Sequence, residues 1–313
     1  MKNVIVIGHI EESLINDFKQ LNDYHFHYYK NFREIPEEVL AEGEILIGIP
    51  LPEYTAKMPK LEWVQLFSAS ANMATWLPEN VLLTNAYGAY GPAIAEYLTA
   101  NTLSILQLMP DYQERQKYHE WEKLGEAKLV SEIKVLSVGM GSIGSAYLQR
   151  MHALGAECYG VRRTVHEKPD YLAGLYTTDE IDTIIGECDV VALSLPETPE
   201  TIGLFNEERM RKMKPGPILL NIGRGTAIVT DDLVKLAQEK WFRGVVLDVT
   251  NPEPLPKNHP LWNCPNVHIT PHISGKYFSV NNYGRVLSVI HKNLVHYAKG
   301  EPMEHVVDKK LGY

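Results

Sequence analysis

Residues 133–163 read IKVLSVGMGSIGSAYLQRMHALGAECYGVRR, and this stretch restricts the fold more than any other. Ile133, Val135, Leu136 and Val138 form a short apolar run of the kind that becomes a buried parallel strand. It leads directly into Gly139-Met140-Gly141-Ser142-Ile143-Gly144, a G-x-G-x-x-G. A helix-like segment follows, with Ile143, Tyr147, Met151 and Leu154 roughly one turn apart, and then a strand from Glu157 to Val161. Strand, glycine turn, helix and strand occur in the order that a dinucleotide fingerprint requires. Gly139 allows the tight turn, Gly141 the close approach of a pyrophosphate, and Gly144 the packing of helix on strand. The first N–H groups of the helix, around Ser142, Ile143 and Gly144, then face the phosphates. A glycine-rich turn alone is weak: it also serves as a purely structural turn, and S-adenosylmethionine enzymes use related ones. The flanking strand and helix favour the nucleotide.

The end of the second strand carries the next signal. An acid normally stands there to bind the ribose hydroxyls. This chain has Arg162, Arg163 and Thr164, with no acid before Glu167. Two guanidiniums suit a 2′-phosphate through forked, charge-assisted hydrogen bonds. The bland alternative is a solvated basic loop. The pair points to NADP, with NADPH as the working form, ahead of NAD. A formal net charge of −9 makes this pair a local feature of an acidic chain and argues against general nucleic-acid binding.

The 313 residues exceed one typical domain, and hydrophobic content of 45% supplies substantial cores. The three cysteines, Cys158, Cys188 and Cys264, are scattered without metal or redox spacing, so no metal site is expected. Reduced thiols, the start MKNVIVIGHI without a signal-peptide pattern, and no apolar run of ~20 residues predict a cytoplasmic protein off the membrane.

The first part alternates between strands (Val4–Ile7, His25–Tyr29, Ile45–Ile49, Leu61–Phe67, Val81–Leu83) and helices (Glu12–Gln20, Ile35–Leu40). That is a smaller, flavodoxin-like α/β domain. Gly91 to Met109 is a helix ended by Pro110, and 111–127 reads as a polar helical arm with Tyr118 and Trp121 interleaved. After the glycine turn, strands at Val190–Leu195, Ile218–Ile222, Gly244–Leu247 and Val267–Thr270 bring the second domain to six, a doubly wound parallel sheet. Helices around Asn206–Met213 and Asp231–Glu239 intervene, and Tyr277–Lys299 is a final helix that returns to the first domain. The expected division is 1–97 plus 276–313 for the substrate domain and 98–275 for the dinucleotide domain, two Rossmann-like units.

Ligands of such sheets bind beyond the carboxyl ends of the strands. Polar groups stand at three consecutive ends: Arg224 in NIGRG, Asp248 and Glu253 in LDVTNPEPL, and His272 in HITPHISG. Any one alone reads equally as a cap or surface residue; together they point to a site.

These motifs, with SLPETPETIGLF, GMGSIG and NAYGAYGPAIAEY in matching order from about Ser68 to Gly275, resemble the D-isomer-specific 2-hydroxyacid dehydrogenases. The resemblance implies a two-domain, usually dimeric enzyme that reduces 2-oxo acids such as glyoxylate or hydroxypyruvate with a nicotinamide cofactor. By motif position it makes Arg224 the ligand of the substrate carboxylate and carbonyl, His272 the acid/base, and Glu253 its partner. Ala69-Ser70-Ala71 matches the loop whose backbone holds the carboxylate, with Ser70 where the family commonly has Gly. Leu195, Pro196, Ile222, Gly223 and Asp248 complete the cofactor cradle. The chemistry fits: hydride addition to a ketone builds negative charge on oxygen, so a proton donor must stand within reach. Imidazolium supplies that proton, and an arginine fork suits a 2-oxo carboxylate. Phe67, Trp76, Tyr87 and Tyr90 read as either pocket walls or ordinary packing. A non-catalytic dinucleotide-sensing regulator or corepressor on the same fold is the alternative, and a methyltransferase a third.

Overall fold

The structure is a computed structural model that describes residues 1–8, 18, 20–164, 167–275 and 280–310. The chain forms two compact units, Met1–Tyr90 with Phe278–Tyr313, and Gly91–Tyr277. The change of unit falls at the start of the helix Gly91–Leu106 rather than inside it at 97/98. That helix packs as one rod on the helix Ser142–Ala153. A Cβ on Gly91 would stand 3.0 Å from the Ser142 carbonyl oxygen, and the hydroxyls of Thr102 and Tyr147, both fully buried, meet at 2.8 Å.

In the first unit, β1 (Lys2–Ile7), β2 (Tyr24–Tyr29), β3 (Ile45–Ile47), β4 (Trp63–Gln65) and β5 (Leu82–Thr84) form a parallel sheet of order β2-β1-β3-β4-β5. This is the flavodoxin order. Successive side chains face opposite sides of the sheet, and both sides are covered. Ile5, Leu46, Val64 and Leu83 enter one core. Val4, Val6, Ile45, Ile47 and Trp63 enter another with Val286, Leu287, Ile290 and Leu294 of the final helix Val280–Lys299. Tyr24 donates to the Leu294 carbonyl at 2.6 Å, and Asn293 Nδ2 to Gln65 Oε1 at 2.9 Å, so the last helix is pinned by polar contacts as well as apolar ones. The helix expected at Glu12–Gln20 and the start of the final one at Tyr277 lie mostly outside the described residues.

In the second unit, β6 (Lys134–Val138), β7 (Glu157–Arg162), β8 (Gly174–Thr177), β9 (Val190–Leu193), β10 (Ile218–Asn221), β11 (Gly244–Leu247) and β12 (Val267–Ile269) are all parallel, in the order β12-β11-β10-β9-β6-β7-β8. The order reverses between β6 and β9, the topological switch point of a doubly wound sheet. The sheet has seven strands, not six. β8 was hidden because Gly-Leu-Tyr-Thr has no apolar run; it is half-buried and pairs only with β7, Arg162 opposite Thr177.

The region after Gly91 also differs from expectation. The helix stops at Leu106, Leu108 takes a left-handed φ of 57°, and a second helix runs Met109–Lys117 with Pro110 in its first turn. Proline is favoured there because the first N–H groups of a helix have no partner to lose. The helical arm expected over 111–127 ends at Lys117. His119 again has φ 57°, and 118–127 is irregular.

Candidate active site

The carboxyl ends of β6, β7, β9, β10, β11 and β12 carry, in turn, the glycine turn, the arginine pair, Leu195, Arg224, Asp248 with Glu253, and His272. Because strands pair side by side at ~4.8 Å, the sheet order is a spatial order. It runs Arg162, Gly139–Gly144, Leu195, Arg224, Asp248, and ends at His272.

Gly139 adopts φ 105°, and a Cβ there would lie 2.5 Å from the Ser194 carbonyl oxygen across the switch point. A Cβ on Gly144 would collide with the Gly139 carbonyl oxygen. Side chains are therefore excluded at both positions, which is the cradle a dinucleotide needs. The Gly139 carbonyl is tied down by two hydroxyls, Ser137 Oγ at 3.1 Å and Ser194 Oγ at 2.8 Å. The helix Ser142–Ala153 starts directly after Gly141 and aims its first N–H groups out of the turn. Arg162 ends β7 half-buried; among the described residues its guanidinium makes no hydrogen bond or ion pair. Arg163 and Thr164 are exposed, and the charge of Arg163 reaches Glu200. These residues fit a nicotinamide dinucleotide, with the glycine turn for its pyrophosphate.

Leu195 and Gly223 belong to touching backbones: a Cβ on Gly223 would stand 2.6 Å from the Leu195 carbonyl oxygen. Pro196 is exposed, and Ile222 is buried beneath the turn. The turn after β10 is organised by Asn221, 1% exposed, whose Oδ1 accepts from Gly223 N–H at 3.1 Å and whose Nδ2 donates to the Arg224 carbonyl at 2.9 Å. Arg224 is half-buried and donates from Nη1 to the Gly223 carbonyl at 2.6 Å. Gly225 presses so tightly on the backbone of Thr250 and Asn251 that any side chain would collide. This contact brings the arginine turn against the segment that carries Glu253.

His272 Nδ1 lies 2.6 Å from Glu253 Oε1, and both side chains are partly open to solvent. A carboxylate only accepts, so Nδ1 carries the hydrogen and Nε2 is left to face a reactant. His272 has a left-handed φ of 53°. A non-glycine residue holds that conformation only where its surroundings impose it. Here three consecutive N–H groups converge on Asp248: His272 N on its carbonyl at 2.9 Å, Ile273 N on Oδ1 at 2.8 Å, and Ser274 N on Oδ2 at 2.9 Å. Asp248 is 1% exposed. Its carboxylate, expected from the sequence to serve the cofactor, also organises the His272 loop.

In the first unit, the loop after β4 contains Ala69, Ser70 and Ala71. Each of its carbonyls is engaged: Phe67 by Tyr90 Oη at 2.6 Å, Ser68 by Ala86 N–H, Ala69 by Asn85 Nδ2 at 2.9 Å, Ser70 by Ser68 Oγ at 2.6 Å. The Ala71 carbonyl accepts from Ala74 N–H. The N–H groups of Ala69, Ser70 and Ala71 pair with no acceptor among the described residues. Consecutive N–H groups without acceptors are the kind of donor set that suits an anion. Phe67 and Tyr90 prove to be packing residues of the first unit's core, whereas Trp76 and Tyr87 are exposed.

The family model for the NAD-binding domain of D-isomer-specific 2-hydroxyacid dehydrogenases matches residues 99–274, more than half of the chain. The chain belongs to that family. A glyoxylate reductase from Thermofilum pendens is 28% identical, over 98% of this chain and 95% of the relative. Among solved structures, a D-isomer-specific 2-hydroxyacid dehydrogenase family protein from Aeromonas salmonicida superposes with a TM-score of 0.88 at 28% identity, covering 98% of this chain and 99% of that one. An NADPH-dependent glyoxylate/hydroxypyruvate reductase from Sinorhizobium meliloti, solved with NADP and sulfate, superposes with a TM-score of 0.87 over the whole of both chains; at 24% identity it shows the fold alone. The family makes this chain a 2-hydroxyacid dehydrogenase with a nicotinamide dinucleotide as cofactor. Among the described residues, no helix is long and apolar enough to cross a membrane, and no group of three or more His, Cys, Asp or Glu could hold a metal ion.

The residues that sequence reasoning missed are the neutral ones: Ser137, Ser194, Asn221, Asn85, Thr270 and Tyr97. All six lie within motifs already quoted, Ser137 before the glycine turn, Ser194 in SLPETPETIGLF, Asn221 in NIGRG, Asn85 and Tyr97 at the two ends of NAYGAYGPAIAEY and Thr270 in HITPHISG, but a neutral side chain gave no reason to single any of them out.

Proposed function

We propose that the chain reduces a small 2-oxo acid, of the glyoxylate or hydroxypyruvate kind, to the D-2-hydroxy acid with NADPH. The observation that carries this reading is the His272–Glu253 pair at 2.6 Å, held on a strained backbone at the end of the same sheet whose switch point bears the glycine turn. A non-catalytic sensor needs the turn but has no use for that pair. When bound, the nicotinamide supplies the hydride. His272 Nε2 gives the proton to the carbonyl oxygen as negative charge builds there, and Glu253 orients the ring and balances its charge. Arg224 takes the carboxylate and carbonyl of the substrate through its fork, and the N–H groups of Ala69, Ser70 and Ala71 take the carboxylate. Gly139, Gly141, Ser142, Ile143 and Gly144 hold the pyrophosphate, with Leu195, Pro196, Ile222 and Gly223 along the rest of the cofactor.

The guanidinium of Arg162, without a partner among the described residues, supports NADPH over NADH together with Arg163 and Thr164 beside it. The name of the Thermofilum protein supports the substrate class. The test is a panel of 2-oxo acids with both cofactors, run on the wild type and on Arg162→Asp. Wild type should favour NADPH, and the variant should lose that preference by about 10- to 100-fold, the equivalent of one charged hydrogen bond at ~1.5–3 kcal/mol. Tight NADPH binding with no turnover on any 2-oxo acid would identify a sensor instead.

We further assign the segment around Tyr118, 68% exposed, and Trp121, fully exposed, to a homodimer contact. Tyrosine and tryptophan are enriched at the centre of interfaces. A monomer in sedimentation at micromolar concentration with full activity would rule this out.

A further inference from the structure

The loop that carries His272 depends on one carboxylate, and that carboxylate depends on two hydroxyls. Thr270 Oγ1 donates to Asp248 Oδ1 at 2.6 Å, and the same Oγ1 meets the hydroxyl of Tyr97 at 2.7 Å. The proton inventory orders this chain. Thr270 has a single hydroxyl hydrogen, already given to Asp248, so Tyr97 must donate to Thr270. Burial, with the Asp248 charge adding to it and the Thr270 hydrogen bond opposing it, pushes the Tyr97 phenol up to about 12, so it keeps the required hydrogen at any working pH. Tyr97 lies near the middle of the helix Gly91–Leu106, which is braced by the buried Thr102–Tyr147 contact. A rigid helix is thus linked to the loop by a row of directional bonds: Tyr97 to Thr270, Thr270 to the Asp248 carboxylate, and that carboxylate to the N–H groups of Ile273 and Ser274, while His272 N–H bonds the main-chain carbonyls of Asp248 and Thr270.

We propose that the Tyr97–Thr270 hydroxyl pair positions the acid/base loop, acting through Asp248 to hold His272 in its left-handed conformation with Nδ1 on Glu253. Neither hydroxyl touches the reacting atoms; both are positioning residues. The reason for two of them is geometric. Asp248 Oδ1 receives both Thr270 Oγ1 and Ile273 N–H. If the first is lost, the carboxylate can swing about its Cβ and carry the Ile273 and Ser274 N–H groups with it, and with them the turn that directly follows His272. His272 φ is strained, so it relaxes readily once the clamp loosens. Cofactor binding rests on other strand ends and should not follow.

This inference depends on His272 being the acid/base, and the experiment separates the two. His272→Ala, Thr270→Val, Thr270→Ser and Tyr97→Phe are compared with the wild type for kcat and KM in 2-oxo acid reduction and for the NADPH Kd by fluorescence. Misplacing a reacting group by about an ångström costs up to ~100-fold. Thr270→Val should therefore lower kcat about 10- to 100-fold, with the NADPH Kd unchanged and KM little affected. Thr270→Ser, which restores the hydroxyl, should recover most of that loss. Tyr97→Phe should lower kcat less, in the same pattern, and decides the matter if Thr270→Val fails to fold. Wild-type kcat in Thr270→Val, or in a soluble Tyr97→Phe standing alone, overturns the proposal. So does a loss of NADPH binding in step with kcat, or a serine variant as slow as the valine one. If His272→Ala itself turns over normally, the acid/base reading falls, and the positioning role falls with it. A dead His272→Ala beside an unaffected Thr270→Val removes the positioning role alone.

Discussion

At the carboxyl end of the seven-stranded sheet, the loops present charged side chains: Arg224 after β10, Glu253 after β11 and His272 after β12. At the corresponding end of the five-stranded sheet, the loop after β4 presents Ala69, Ser70 and Ala71, with its carbonyls tied back and its N–H groups left over. On the proposed reading the first region does chemistry with side chains that the backbone holds, whereas in the second the backbone binds the ligand and side chains such as Asn85 and Ser68 hold it. The two regions should therefore answer mutation in opposite ways. In the second unit the residue that matters is the one presented; in the first it is the one behind.

The sharpest break of this contrast would come from His272. His272→Ala should lower 2-oxo acid turnover by about 10²- to 10⁴-fold, the usual share of a general acid, while NADPH still binds. Retained turnover would make this histidine structural. Next in size is Arg224→Lys. A point charge cannot reproduce the fork, so KM for the oxo acid should rise about 10- to 100-fold, corresponding to one charged hydrogen bond. Steady-state kinetics with KM unmoved would remove Arg224 from substrate binding.

The first unit supplies the smaller effects. Asn85 is 4% exposed and bonds the Ala69 carbonyl and the Tyr87 N–H. Asn85→Ala frees that carbonyl, and KM should rise about three- to tenfold, the equivalent of one neutral hydrogen bond at ~1 kcal/mol. Ser70→Ala changes a presented side chain but no backbone contact, and KM should stay within about twofold, as for most unengaged positions. A large effect at Ser70 with none at Asn85 would invert the comparison and make the loop a side-chain site.

This difference also governs what could be read from sequence. Arg224, Glu253 and His272 lie within six residues of the ends of apolar runs, and a charge near the end of a buried strand needs no partner to be noticed. The glycine turn was equally legible, because steric exclusion at Gly139 and Gly144 leaves one permissible residue. The helpers were not. Asn85, Asn221, Thr270 and Tyr97 are common polar residues whose role comes from a neighbour brought by the fold: Thr270 and Tyr97 are separated by 173 positions in the chain. Asp248 was noticed as a charge, but its N–H donors become visible only when the 272–274 turn is built. Of the larger features, both sheet types were legible from apolar runs. β8 was not, lacking one, and the arm was read as a longer helix because nothing in its polar composition marks the left-handed turn at His119.

The final helix has a consequence for how the protein is made. Val4, Val6, Ile45, Ile47 and Trp63 form one face of the five-stranded sheet, and Val286, Leu287, Ile290 and Leu294 that cover it come after the whole Gly91–Tyr277 unit. On a ribosome adding ~5–20 residues per second, that face waits roughly 10–40 s for its cover. During that interval the edge of an aromatic strand, Tyr24–Tyr29, and an open apolar sheet face are available to other chains. Synthesis of this protein therefore has a vulnerable period that ends only with its last helix, and nascent-chain chaperones would find their binding site on the first ninety residues.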